Sequence, residues 1–304
     1  MALHRLTWVT LGVPNIEETR AFYREFGLPE FTAGRFATAD GGEQLRLIPA
    51  PRRTLLELGL GVDDADDLAR MAAALTRLGV SASSEDPGLL RTIEPVTGMR
   101  ILVRVANRIR QAEEIAPPTN RPGHRERINT RAEAALATTG ARPRKLSHVV
   151  IGTTDANATR RFFTEALGFK VSDEVPPAAA TFLRCSTEHH NLLVQQAPVS
   201  FLHHTAWEVG DVDEIGRGAK HMLKEHPDRH LWGLGRHCIG SNYFWYLRDP
   251  AGNFAEYSSD IDVIEDDDRW EPGTWSGLDV LMAWGPPVPA SFLAPDDLPA
   301  LMAR

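Results

Sequence analysis

The chain has 304 residues, 42% of them hydrophobic and 24% charged, and a formal net charge of -8. At about 100–200 residues per domain this composition suits two soluble domains with substantial cores. The acidic balance argues against a nucleic-acid binder, which needs clustered Lys and Arg. No apolar run approaches about 18 residues and no secretory segment follows Met1, which predicts a soluble, cytoplasmic protein with no membrane partner. Cys185 and Cys238 are the only cysteines and are expected as reduced thiols.

The chain repeats itself. Residues 6–13 (Leu-Thr-Trp-Val-Thr-Leu-Gly-Val) align with residues 146–153 (Leu-Ser-His-Val-Val-Ile-Gly-Thr), and both stretches read as strands. A helix is predicted after each, over 16–26 and 156–167, with Asn15 and Asp155 as N-caps and Gly27 and Gly168 just past the C-termini. A finer repeat lies inside each half. Residues 54–62 read as a strand, followed by a helical stripe of Leu68, Met71, Ala72, Leu75 and Leu78. Residues 203–209 read as another strand, followed by a helix with Ile215, Ala219, Met222 and Leu223 on one face. The fold class predicted is α+β, with four βαβββ units at 4–50, 53–104, 145–196 and 201–258. The domains follow: 1–106, a connector at 107–144 rich in Pro and charge with a short helix near 132–137, a second domain at 145–260, and a tail at 261–304. That tail carries Trp270, Trp275 and Trp284 and is expected to pack on a domain surface, a partner subunit or the mouth of a pocket.

Histidine is concentrated in the second half, where nine of eleven fall between His148 and His237. Three polar residues interrupt apolar strands there. His148 lies in the first strand of the third unit, His204 beside His203 in the first strand of the fourth, and Glu256 in its last strand. Residues 243–247 and 254–258 form a hairpin around the turn Asp249-Pro250-Ala251-Gly252-Asn253, and Glu256 is a costly carboxylate in an aromatic strand. Two imidazoles and one carboxylate suit a facial Fe(II) site with open positions; the same donors also serve catalytic zinc. Strand alternation alone does not choose between His203 and His204.

The second half resembles the type I extradiol catechol dioxygenases of the vicinal oxygen chelate superfamily. The resemblance rests on Leu146-Ser147-His148, Glu188-His189-His190-Asn191, His203-His204-Thr205, Gly235-Arg236-His237, Tyr246, and Asp249-Pro250 through Glu256-Tyr257. It implies two domains of paired βαβββ units, each a curved mixed sheet forming an open barrel with helices outside. It implies His148, His204 and Glu256 as metal ligands, with His203 as the outward neighbour. By alignment Trp8 replaces His148, Glu57 stands opposite His204 and Leu102 near Glu256, so the first half has no equivalent site.

The same resemblance implies His190 as the acid–base residue and His237 and Tyr246 as contacts of the substrate hydroxyl and oxygen. Trp207, Trp232 and Phe244 suit either a pocket lining or core packing. The implied reaction inserts both atoms of O2 beside the diol of a catecholic substrate, with Fe(II), or Mn(II) in its place, and a homo-oligomer as the working form. Ile239-Gly240-Ser241-Asn242 departs from members that cleave biaryl diols and is nearer those acting on other catechols, arylacetates included. Two rivals remain on the same fold: a glyoxalase-like isomerase or epimerase, which usually draws four ligands from paired units, and a non-catalytic small-molecule binder.

Overall fold

Each repeat begins with an apolar strand too well buried to end a sheet, followed by a helix with one apolar face. The computed structural model describes residues 2–176, 180–277 and 279–303. In the first unit β1 (Leu3–Val13) leads to α1 (Ile16–Glu25), then β2 (Glu30–Thr32), β3 (Arg35–Thr38) and β4 (Gly42–Pro49). The second unit is β5 (Thr54–Val62), α2 (Ala65–Arg77), β6 (Ala82–Asp86), β7 (Leu89–Ile93) and β8 (Arg100–Val105). Their strands join in one sheet ordered β2-β3-β4-β1-β5-β8-β7-β6. The pair β1/β5 is antiparallel at the centre, while β1/β4 and β5/β8 are parallel. The four-unit mixed-sheet architecture predicted from the sequence is therefore the one observed.

The connector holds α3 (Glu133–Leu136), where the sequence predicts a short helix. The third unit then runs β9 (Lys145–Thr153), α4 (Ala156–Arg161), β10 (Lys170–Val175), β11 (Ala180–Arg184) and β12 (Leu192–Gln196). The fourth runs β13 (Phe201–Glu208), α5 (Val212–Leu223), β14 (His230–Arg236), β15 (Tyr243–Arg248) and β16 (Phe254–Ser259). The second sheet repeats the first, with β13 and β9 antiparallel at its centre. Among the described residues neither sheet closes on itself, and no helix is long and apolar enough to cross a membrane.

Two local expectations change. The helix predicted over 156–167 is α-helical only to Arg161, and Phe162–Ala166 is a π-turn. The wider turn lets the consecutive Phe162 and Phe163 both face the core with Ala166. Asp155 caps as expected, accepting from Ala158 N at 2.9 Å. Asn15 occupies the N-cap position without a side-chain cap. Its amide donates instead to Pro250 O at 2.6 Å, in the hairpin turn of the other half.

That bond belongs to a set that joins the halves. Phe26 stacks on Tyr257 with ring centroids 4.0 Å apart, and the Tyr257 hydroxyl donates to Phe26 O. The Gln44 amide, fully buried, accepts from Leu146 N and donates to Leu6 O. The apolar core runs without a break from Leu3 to Tyr257.

The tail folds back over the second sheet. β17 (Gly273–Thr274) adds a parallel strand to the edge of β10. The Trp270 and Trp232 indoles donate to Ser172 O and Pro286 O. Further on comes α6 (Ala290–Leu293), and just beyond it Asp297 is held from the first half. Arg53, with its side chain almost wholly buried, donates to both Asp297 oxygens at 2.5 and 2.8 Å and to Leu202 O at 2.7 Å.

Replacing Arg53 by Met should free this end of the tail and leave the Leu202 carbonyl unpaired, a cost of about 2 kcal/mol. The check is a urea midpoint together with limited proteolysis, with new cleavage expected beyond residue 284. Unaltered proteolysis would mean that the tail is held by other contacts.

Candidate metal centre

Three adjacent strands at the middle of the second sheet build the site. β9, β13 and β16 put His148 opposite Ala206, and Ala206 beside Glu256, in one row across the sheet. Partners in register point to the same face, so His148 and Glu256 flank Ala206, whose methyl leaves the space between them open. His204 lies two residues before Ala206 and leans into that space. The donor atoms converge: His148 Nε2 is 3.2 Å from Glu256 Oε2, His204 Nε2 is 3.4 Å from the same oxygen, and the two Nε2 atoms are 3.4 Å apart. Donors about 2.1 Å from one ion lie roughly 3.0 Å apart at octahedral angles and roughly 3.4 Å apart at tetrahedral ones. The near-equilateral triangle is thus one face of either polyhedron.

The hydrogen bonding shows that a cation fits this triangle. Glu256 is fully buried; its Oε1 accepts from Asn242 Nδ2 at 3.2 Å, while Oε2 has no hydrogen-bond partner. An anionic oxygen without a donor is costly inside a protein, and this one faces two imidazole nitrogens. His204 presents a lone pair there for a traceable reason. His203 Nε2 lies 2.7 Å from Phe292 O, a carbonyl that only accepts, so that nitrogen carries the proton. Burial pushes the His203 imidazolium pKa down to about 4, so the ring is neutral and its Nδ1 is bare. His204 Nδ1, 2.8 Å away, must then donate, which leaves His204 Nε2 unprotonated toward the centre.

His203 corrects an expectation. Alternation and the resemblance make it the outward neighbour, but it is buried and lines the same cavity. A break in register between Leu202 and His204 suspends the alternation there.

A second imidazole pair mirrors the first. His189 Nε2 lies 3.2 Å from the Asp173 carboxylate, and the His189 and His190 Nδ1 atoms are 3.0 Å apart. The His189 ring thus links His190 Nδ1 to Asp173, and the far edge of the His190 ring lines the cavity. The His190 ring is 4.3 Å from that of His148. Burial first, and then the neighbouring histidines, hold its pKa well below the ordinary value.

On the opposite side His237 Nδ1 donates to Leu281 O in the tail, and its Nε2 is 3.0 Å from the Tyr246 hydroxyl. Tyr246 is the cross-strand partner of Glu256; burial, then that carboxylate, raises its pKa well above the phenolic value. His148, His190, His204, His237 and Tyr246 all line one cavity of about 70 Å³. Trp207, Trp232 and Phe244 are buried in core packing and do not line it.

The first half lacks the donors. Trp8, Gly59 and Leu102 occupy the row that His148, Ala206 and Glu256 occupy in the second, and Glu57 opposite Thr10 matches His204 opposite Val150. Glu57 accepts from Thr10 and Arg100, and the Arg46 guanidinium lies over the Trp8 ring.

Sequence reasoning missed the supports. Asn242 had a signal, since it shares strand parity with Phe244 and Tyr246. Asp173 and His189 had only an acid inside a strand and a His pair. Leu281 and Phe292 reach the site through tertiary folding alone.

Paired βαβββ units with a buried His–His–Glu triad in the second half are the arrangement that the resemblance to vicinal oxygen chelate proteins implies. Residues 145–257 match the Glyoxalase/Bleomycin resistance protein/Dioxygenase superfamily. Metapyrocatechase 2 of Cupriavidus necator is 41% identical over 152 residues, which is 50% of this chain and 47% of that protein; the chain thus aligns with about half the length of that relative. Biphenyl-2,3-diol 1,2-dioxygenase of Paraburkholderia xenovorans is 26% identical over 275 residues, covering 84% of this chain and 88% of that one. Among solved structures, the Mn(II)-bound glyoxalase from Novosphingobium aromaticivorans is 27% identical, with a TM-score of 0.74 over 93% of this chain and 91% of its own.

The buried histidines predict acid lability of the metal-free protein. His203 binds its proton near pH 4 when folded and near 6.5 when unfolded. The unfolded state therefore takes up the proton first, and stability is lost as pH falls from 6.5 to 4, by about 3 kcal/mol for this group. Urea midpoints of chelator-treated protein should fall across that window and fall less in His203→Gln. Equal slopes would show that His203 is not a source of the dependence.

Proposed function

We propose that the protein is an extradiol ring-cleaving dioxygenase, inserting both atoms of O2 into a catechol next to its diol. The observation that carries this reading is Glu256 Oε2, a buried anionic oxygen without a donor that faces two imidazole nitrogens. His148, His204 and Glu256 are the ligands, and Fe(II) is the ion; Mn(II) suits the same donors. Two neutral imidazoles and one carboxylate leave a divalent ion with a single net positive charge and open positions. When bound, the ion supplies Lewis acidity and a path for electrons between an electron-rich ring and O2.

The chain's own residues do the rest. His190, buried beside His148 on the cavity wall, takes a proton from a catechol hydroxyl as it binds and returns it to oxygen later. Its Nδ1 bond toward His189 and Asp173 holds the ring in place and stabilises it while it carries charge. His237 accepts from Tyr246, and the pair presents a phenolic hydroxyl on the side of the cavity opposite His190. Asn242 keeps one Glu256 oxygen occupied, so only the other turns inward. The apolar walls exclude water, which strengthens each of these interactions.

An isomerase of the same superfamily is the second reading, favoured by the likeness to the Mn(II)-bound glyoxalase. It leaves the three-donor triad short of a fourth protein ligand, since Trp8, Glu57 and Leu102 hold the matching positions of the first half.

Anaerobic loading with Fe(II), followed by catechols in an oxygen electrode, tests the reading; oxygen uptake with a yellow ring-opened product is expected. Turnover of a hemithioacetal without oxygen uptake would replace it with the isomerase. His148→Ala should lose bound iron by elemental analysis, and retained stoichiometric iron would remove His148 from the ligands. His190→Asn should keep iron and bind catechol while turning over at least about 100-fold more slowly; unchanged kcat would reject the acid–base role.

A further inference from the structure

The cavity above the triad joins a set of histidines and Tyr246 to apolar side walls. Val150, Phe182, Leu193 and Ile239 form a single buried apolar cluster on one side, with Val280 from the tail packed against it. On the other side Phe292 seats its ring 4.7 Å from Tyr246 and 4.8 Å from His203. Among the described lining residues there is no Lys or Arg; the polar ones are the histidines, Tyr246 and Gln195. Arg53, which holds the tail nearby, spends its donors on Asp297 and Leu202 O and does not line the space.

The volume is as restrictive as the charge. At about 70 Å³ the cavity is smaller than the roughly 150 Å³ that holds benzene in a dry protein interior. One ring fills it and reaches the mouth. A second ring pointing away from the Val150–Ile239 cluster meets Phe292, which is wedged among Tyr246, Trp232 and Phe254.

We infer that this pocket takes uncharged, single-ring catechols, and that Phe292, delivered by the C-terminal tail, sets its size limit. The inference rests on the ring-cleaving reading above and narrows it. A carboxylate on the ring would enter an apolar space with no cationic side chain to meet it, a desolvation cost nothing there offsets. A methyl group gains from the same walls, by about fourfold in affinity per buried carbon. The hairpin residues 239–242, which in sequence sit nearer the arylacetate-cleaving pattern, thus supply an apolar wall through Ile239 and a ligand support through Asn242, and no group that would recognise a carboxylate.

The experiment compares catechol, 3-methylcatechol, 3,4-dihydroxyphenylacetate and 2,3-dihydroxybiphenyl on the Fe(II)-loaded full chain. It reads kcat/KM in air and affinity by anaerobic calorimetry. Both single-ring neutral diols are expected to exceed the charged and biaryl ones by about 100-fold in kcat/KM, with the same order in binding. A preference under tenfold, or one reversed, overturns the inference. Phe292→Ala should shift the ratio of biaryl diol to catechol upward by about tenfold; an unchanged ratio in a variant with native circular dichroism removes Phe292 as the limit. Gln195→Arg places a cation in the wall and should raise the arylacetate-to-catechol ratio by at least about tenfold. Failure to raise it, with iron still bound, counts against charge as the discriminator. If no catechol is turned over although iron is bound, the ring-cleaving reading is what fails, and the calorimetric order still reads the pocket.

Discussion

Glu256 places a carboxyl group where water does not reach, and much of the second half answers that cost. One of its oxygens is met by Asn242 and the other is left for a cation. The row that sets it beside Ala206 and His148 lies in the most protected part of the sheet, with strands on either side. A central position fixes direction as well as burial. Edge strands twist and fray, whereas the middle strands of a paired sheet are held from both sides, so the donors are aligned before any ion arrives.

The second level of support is made of proton positions. Two histidine pairs, His203–His204 and His189–His190, each end on a group that only accepts: the Phe292 carbonyl in one and the Asp173 carboxylate in the other. Each chain of contacts orients the inner ring, and the first decides which of its nitrogens is free. Both terminal acceptors are tied to the tail, since Phe292 lies in it and Asp173 also accepts from Gly273 N. The setting of the inner rings thus depends on a segment that follows the sheet domain in sequence.

The sequence was most informative where chemistry and periodicity coincided. The strand at 54–62 and the hairpin around Asp249-Pro250 are legible because alternation, helix stripes and turn residues agree. Even the missing site of the first half could be read, and strand register puts Trp8, Glu57 and Leu102 at the matching positions. What escaped depended on departures from regularity. A break in β13 turned His203 inward against the alternation rule, and a π-turn ended the helix after Arg161. Leu281 and Phe292 lie in a stretch rich in Pro, where no period points to a partner. Their roles come from long-range packing, which a single sequence does not encode locally.

The clamp formed by Arg53 makes one cavity depend on three distant stretches of chain. The triad from His148 to Glu256 lies in the second sheet, Phe292 and its carbonyl lie in the tail, and Arg53 of the first half holds Asp297 a few residues beyond Phe292. The half without the triad is thus the one that bolts the outer wall in place.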